Sequence, residues 1–235
     1  MVATNDRRLS PEEMALPHGL SEAARAALLG QAIRHTVSAG TVLFEQGDIP
    51  NFQIVVMSGS AQLFGKSASG REVLVEVVEP YDLIIPAAVV TDAPYLMQAR
   101  VPEPSTFLLI HAGAFRAAVA ENPVLAQAVI EGLAQQFRRM VRQIKNLKLR
   151  TSTQRVGCYV LTLARKQGTP DQAVLPYEKN LIASELGITR ESFSRALAAL
   201  EPSGLRVDGQ LIRVTDPDRL AEDCALDPLI DDLVP

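Results

Sequence analysis

The stretch Leu181-Ile182-Ala183-Ser184-Glu185-Leu186-Gly187-Ile188-Thr189-Arg190-Glu191-Ser192-Phe193-Ser194-Arg195 decides the fold of the C-terminal part of the chain. Leu181, Ile182 and Leu186 recur at helical spacing, and the run stops at Gly187, where a tight turn between helices needs positive φ. Thr189 is placed to cap a second helix, in which Phe193, Leu197 and Leu200 point inward. Arg190, Glu191, Ser194, Arg195 and Ala198 then share the outer face. Helix, glycine turn and helix make the helix-turn-helix pattern, whose second helix fits the major groove of DNA. The residue types suit base edges: Arg195 forks onto guanine O6 and N7, Glu191 accepts from a cytosine amino group, and Ser194 contacts a base or a thymine methyl region. Thr189, Ser192 and Arg190 complete the candidate DNA-contacting set. A solvated face carrying ordinary charges is the plainer reading of this helix taken alone.

The flanks weigh against that plainer reading. Leu175-Pro176-Tyr177 leads into the first helix, expected over 178–186. Past Gly204, two short β-prone runs (205–207 and 211–214) flank Asp208-Gly209, a hairpin signal of the I′ type. A helix-turn-helix followed at once by a hairpin is a winged helix. Upstream, 154–167 reads as a helix with Val156, Tyr159, Val160 and Leu163 inward, and 167–171 as a loop.

A long helix comes before this region. Asn122 is a cap, Pro123 fits the first turn, and helical texture runs to about residue 150. Its apolar residues fall at Val129, Leu133, Phe137, Met140, Ile144 and Leu147, and the later spacing of 3, 4 and 3 is a coiled-coil seam. Arg138, Arg139, Arg142, Lys145 and Lys148 occupy the other faces. One narrow seam on a long helix suits pairing with a second copy. The expected homodimer interface is therefore Leu133, Phe137, Met140, Ile144 and Leu147. The alternative is a helix lying on its own β-domain.

The first half has a different texture. Residues 1–20 read as an irregular arm, and 21–35 as a helix capped by Ser21. From residue 39 to 112, short β-rich runs alternate with turn signals such as Gly47-Asp48, Ser58-Gly59 and Ser69-Gly70. Many short strands at this spacing predict a jelly-roll. The expected class is α+β: a β-roll domain with its N-terminal helix over 1–120, a dimerisation helix over 121–150, a winged helix-turn-helix over 151–216, and an acidic tail over 217–235.

Composition removes several classes. No apolar run approaches the ~20 residues needed to span a bilayer, and residues 1–9 lack the apolar core of a secretory signal. No membrane partner and a cytoplasmic location are expected. Net charge is −4, yet twelve of the 23 Lys and Arg fall between Arg138 and Arg195, which concentrates cations where DNA would lie. Two cysteines, Cys158 and Cys224, support neither a disulfide framework nor a four-cysteine cluster. No catalytic set and no metal set emerges; a jelly-roll enzyme of the cupin kind would need histidines on its strands. No enzyme activity is expected.

With these parts in this order, roughly residues 20–215 resemble the CRP/FNR superfamily of bacterial regulators. The stretch quoted first is the most specific portion. Glu191-x-x-Ser194-Arg195 looks like the FNR-type reading triplet, which implies palindromic sites with TTGAT-like half-sites. Arg190 also matches an arginine of the CRP-type helix. The resemblance implies transcription regulation, activation included, by a homodimer on double-stranded DNA. It also implies contact with RNA polymerase through the loop 167–172.

Cyclic-nucleotide binders of this family carry a Gly-Glu pair and an Arg-Ser or Arg-Thr pair in the β-roll. Here the corresponding stretches are Asp82-Leu83-Ile84-Ile85-Pro86-Ala87 and Ala93-Pro94-Tyr95-Leu96-Met97. They hold no arginine, so cyclic AMP is not the expected effector. No cysteine precedes Cys158, so an FNR-type iron–sulfur cluster is not expected either. An apolar region remains, with Ile85, Tyr95, Met97, Leu133 and Phe137 as the candidate effector pocket; an ordinary core is the plainer reading. The Leu-Pro-Tyr-Glu-Lys lead and the Glu-Ser-x-Ser-Arg helix are similar to the nitrogen-oxide-responsive branch. Haem is left open on that ground, with only His18, His35 and His111 to ligate it. A regulator with a vestigial sensor, controlled by abundance or by oxidation of Cys158, is the other reading.

Overall fold

The computed structural model describes residue 16 and residues 20–231. The chain divides between Gln135 and Gln136 into two compact units.

In the first unit, Ser21 caps helix α1 (Glu22–Leu29), its hydroxyl accepting from the Ala24 N–H at 3.2 Å. The helix is shorter than the expected 21–35. Gly30 closes it, and residues 32–37 form strand β1 (Ala32–Val37), paired antiparallel with residues 105–110. A non-local pairing thus overrides the local helical pattern. Next come β2 (Val42–Phe44), β3 (Phe52–Ser58), β4 (Ala61–Lys66), β5 (Glu72–Val78), β6 (Leu83–Ile84), helix α2 (Pro86–Thr91), β7 (Gln98–Arg100) and β8 (Ser105–His111). They form two four-stranded sheets, ordered β1-β8-β3-β6 and β2-β7-β4-β5.

The apolar run Ile54-Val55-Val56-Met57 on β3 is buried on both faces. Period two explains how. Ile54 and Val56 join a core with Leu63, Ala99 and Phe107, contributed by both sheets. Val55 and Met57 join a second core with Leu28, Phe115, Leu125 and Val129, contributed by helices. Helix α3 (Ala112–Glu121) follows β8, and Asn122 starts the long helix α4 (Pro123–Leu149). The Asn122 Oδ1 accepts from the Val124 and Leu125 N–H groups at 3.0 and 3.2 Å, as its cap role predicts.

In the second unit, Thr151 caps α5 (Ser152–Lys166) in a reciprocal arrangement with Gln154. Strand β9 (Gln172–Val174), helix α6 (Lys179–Glu185) and helix α7 (Arg190–Ala199) follow. Strands β10 (Leu205–Asp208) and β11 (Leu211–Val214) then pair, and helix α8 (Pro217–Asp223) closes the order. The sheet order is β10-β11-β9. Val156, Val160, Ile182, Phe193, Leu197 and Ile212 meet in one core. The hairpin turn differs from the expected type. Asp208 pairs with Leu211, so Gly209-Gln210 are its central residues, and Gly209 at φ 64° alone has positive φ. That is the II′ pattern, which asks for glycine at the first central position.

Candidate nucleic-acid interface

The turn ahead of α7 is built by Gly187, at φ +66°. Its N–H donates to the Ser184 carbonyl at 3.0 Å, and the Ile188 N–H to the Ala183 carbonyl at 2.9 Å, which closes α6. A Cβ added to Gly187 would meet Leu147 Cδ2 at 2.8 Å, so glycine is needed there for space as well as for φ. Thr189 is extended, and its hydroxyl oxygen accepts from the Ser192 N–H at 3.2 Å.

With the cap in place, α7 buries Phe193, Ala196 and Leu197 and exposes Arg190, Glu191, Ser194, Arg195 and Ala198. The structure therefore brings the predicted residues onto one face. Thr189 is exposed at its start and Ser192 is half-buried at its edge. Arg195 Nη2 donates to Ser192 Oγ at 3.2 Å, and Thr189 Oγ1 lies 3.1 Å from the same oxygen. Ser192 thus orients the guanidinium while its own backbone is held by the cap. A hydrogen bond from its own backbone N–H and the neighbouring Thr189 hydroxyl hold the Glu191 carboxyl below the usual carboxylate range, with Arg190 and Arg195 adding to the effect. At neutral pH that side chain is an acceptor, as cytosine recognition requires.

The sequence reading missed two cations on the hairpin. Arg206 and Arg213 lie opposite each other in the β10–β11 register, and both are exposed. Arg206 Nη1 lies 3.6 Å from Glu201, a loose surface pair. Like charges placed directly across a ladder are unfavourable unless an anion lies over them. Pairing the residues outward from Gly209-Gln210 would have brought the two together.

Along α4 the expected seam divides. Phe137, Met140, Ile144 and Leu147 are 67%, 52%, 49% and 40% exposed in the single chain. Leu133 is only partly buried and packs against the helix-side core of the first unit, as Val129 does. Within the second unit, Leu147 also touches the turn at Gly187.

The four candidate effector residues of the first unit fall in two different cores. Ile85, Tyr95 and Met97 lie in the inter-sheet core. Leu133 lies in the other core, and Phe137 is exposed. The spacing that placed all five on apolar faces carries no information about which core each face meets. Tyr95 stacks on Phe44 with ring centroids 3.6 Å apart and an interplanar angle of 15°. Its hydroxyl donates to the Phe52 carbonyl at 3.5 Å. Burial, with a smaller contribution from Asp48, pushes the Tyr95 phenol up to about 12. Among the described residues, neither His35 nor His111 enters this core; both are exposed. His18 lies outside the described residues. The described part of the core therefore offers a haem no imidazole.

Both thiols are buried. The Cys158 S–H donates to the Cys224 carbonyl at 3.3 Å. Burial pushes the Cys158 thiol up to about 12 and that of Cys224 up to about 11. Among the described residues, no group of three or more His, Cys, Asp or Glu is placed to hold a metal ion. No helix among them is long and apolar enough to cross a membrane.

Comparison with known proteins matches both units. Residues 34–122 match the cyclic nucleotide-binding domain family, and residues 154–223 match the Crp-like helix-turn-helix domain family. The chain is 25% identical over 208 residues to a CRP-like cAMP-activated global transcriptional regulator of Mycobacterium tuberculosis, covering 86% of this chain and 93% of the relative. A putative cAMP-binding regulatory protein from Silicibacter pomeroyi DSS-3 superposes with a TM-score of 0.54 at 28% identity, over 87% of this chain and 92% of that one. FixK2 of Bradyrhizobium japonicum shares the fold with a TM-score of 0.68 at 19% identity, over 81% and 96% of the two chains.

Proposed function

The chain belongs to the CRP/FNR family of DNA-binding transcription regulators, and from that premise we propose that it acts as a homodimer on a palindromic site, with α7 of each copy reading a TTGAT-like half-site. The carrying observation is the exposed face Arg190, Glu191, Ser194 and Arg195 on a helix fixed by the Gly187 turn and the Thr189 cap. Arg195, held by Ser192, reads guanine, and the ionised Glu191 accepts from cytosine. Arg206 and Arg213 on the wing take phosphates, which adds affinity without sequence information. The exposed stripe Phe137, Met140, Ile144 and Leu147 is the dimer seam. Two-fold pairing spaces the reading helices by one turn of DNA, about 34 Å.

The signal is not cyclic AMP. A cyclic phosphate needs a cation, and the stretch 93–97 supplies Tyr95, already stacked on Phe44. Tyr95, standing where a cation would be needed, favours a second reading for the sensing end, an effector-independent regulator controlled by abundance. Oxidation of Cys158 is disfavoured, because a buried thiol with a raised pKa yields little thiolate.

Selection of binding sites from random DNA with the full-length protein tests the main reading. An inverted repeat of TTGAT-like half-sites is expected, and binding is expected to be insensitive to added cyclic AMP. A monomeric, non-repeated site, or no enriched site at all, would overturn it.

A further inference from the structure

Helix α4 ends at Leu149 and α5 begins at Ser152, and Arg150 occupies the junction. Its side chain is 3% exposed, although it carries a full positive charge. One guanidinium nitrogen donates to Asp231 Oδ1 at 2.6 Å and to Asn146 Oδ1 at 3.2 Å. The other donates to Asp231 Oδ2 at 2.6 Å and to the Ala225 carbonyl at 2.9 Å. The Asp231 carboxylate is itself 6% exposed and also accepts from the Asp227 N–H at 2.9 Å. Three donated bonds thus tie Arg150 to two points of the tail, and the fourth ties it to Asn146 in the last turn of α4. A charge is buried this deeply only where its partners are complete, because desolvation is otherwise uncompensated.

Every tail residue in this network lies beyond the segment that matches the helix-turn-helix family, which ends at residue 223. The tail is seated as well as tied. Leu220 and Cys224 are fully buried in the core of the second unit, and Leu226 packs against it. Gly157 leaves the space that the Cys224 sulfur fills; a Cβ there would collide with it. Ala225 holds a left-handed backbone at φ 52°, a conformation that an alanine keeps only when its surroundings impose it. In the same last turn of α4, Leu147 lies against Gly187, two residues before the cap of α7. Arg155 Nη1 also donates to the Leu147 carbonyl at 3.4 Å.

We infer that Arg150 and Asp231 are a positioning pair: they lock the tail as a clasp across the α4–α5 junction and so set the reading helix at a fixed attitude to the end of the dimer seam. This inference rests on the proposed dimeric reading of DNA. Neither residue touches DNA. Their effect lies in the second half-site, because a dimer gains from its second helix only when both helices are held in register.

The test uses the full-length protein, its selected palindrome and a DNA carrying one half-site. Asp231→Asn keeps the shape of the side chain and removes its charge. It should lower the ratio of palindrome to half-site affinity at least tenfold while half-site affinity stays within twofold. Trypsin should also cut after Arg150 at least tenfold faster in the variant, because the guanidinium is then released. An unchanged affinity ratio would overturn the inference, and so would an equal loss on both DNAs, since the tail would then serve only to fold the reading unit. Should Asp231→Asn fail to fold, Asp231→Glu keeps the charge and lengthens the side chain. A folded Asp231→Glu protein should still show a three- to tenfold lower ratio, and an unchanged one would count equally against the clasp. If selection yields no DNA site, the dimeric reading itself fails and takes the clasp with it; a site with an insensitive ratio removes the clasp alone.

Discussion

The outer face of α7 and the inter-sheet core of the first unit are both made of regularly spaced side chains, but they use that regularity differently. On α7, period 3.6 separates Phe193, Ala196 and Leu197, which pack, from Arg190, Glu191, Ser194 and Arg195, which do not. On β3 and β8, period two sends alternate residues into two cores, and neither face is left for solvent. The polar groups on α7 are pre-oriented by a cap and by Ser192. In the core, the side chain at the heart of the expected effector stretch, Tyr95, is committed to a ring stack. Packing thus leaves a polar face over on α7, while Tyr95 is engaged in packing.

The sharpest way to break this comparison is to remove the proposed dimer, because α7 would then lose its symmetry mate. Ile144→Glu places a charge in the exposed stripe of α4. The variant should sediment as a monomer. It should lose affinity for the palindrome by 10²–10⁴-fold, on the order of the gain from joining two sites in one molecule. A variant that stays dimeric would place the seam elsewhere on the chain.

The next largest effect concerns the core. Tyr95→Ala should destabilise the first unit by roughly 3–5 kcal/mol, the usual cost of removing a buried aromatic side chain, and leave DNA sequence preference unchanged. Denaturant unfolding and repeated site selection measure the two. Altered DNA affinity without lost stability would mean that this core transmits a signal after all. Tyr95→Phe sharpens the point through pH. Folding raises the phenol's pKa from 10.0 to about 12, so the native state holds the proton more tightly. That contribution is complete below pH 10 and is lost as pH rises toward 12. The variant should lack this alkaline loss relative to the parent protein.

How legible each region is in the sequence follows from the same contrast. The turn and cap around α7 are local features, spelled by Gly187 and Thr189 within a few residues of the helix they govern. The strand Ala32–Val37 is not local: it exists because it pairs with residues 105–110, and an uninterrupted helical texture through residue 35 conceals that. Leu133 shows a further limit. Its helical spacing matches that of Phe137 and Ile144, and spacing alone cannot tell a face covered by the chain's own core from one left for a partner. The Arg150–Asp231 pair spans 81 residues, and nothing near either residue signals the other.

Arg195→Ala tests the reading face directly. Loss of a bidentate base contact should cost about 1–3 kcal/mol on the selected site and relax preference at one base pair of each half-site. A selected motif identical to that of the parent would remove Arg195 from base reading and leave its bond to Ser192 as a purely structural contact.

The smallest expected effect separates positioning from reading within the same unit. Arg213 lies on β11 opposite Arg206, exposed, and its strand neighbours Ile212 and Val214 are buried. It is therefore held firmly without being needed for packing. A cation in that position contributes to binding by releasing a counterion from the phosphate chain, which is the same for every sequence. Arg213→Gln should weaken all DNAs alike, keep the selected motif, and reduce the slope of log affinity against log salt by about 1 for each half-site engaged. A changed motif would instead show the wing taking part in base recognition. The polar surplus of this unit would then extend beyond α7, and the single reading face contrasted with the closed core would become two.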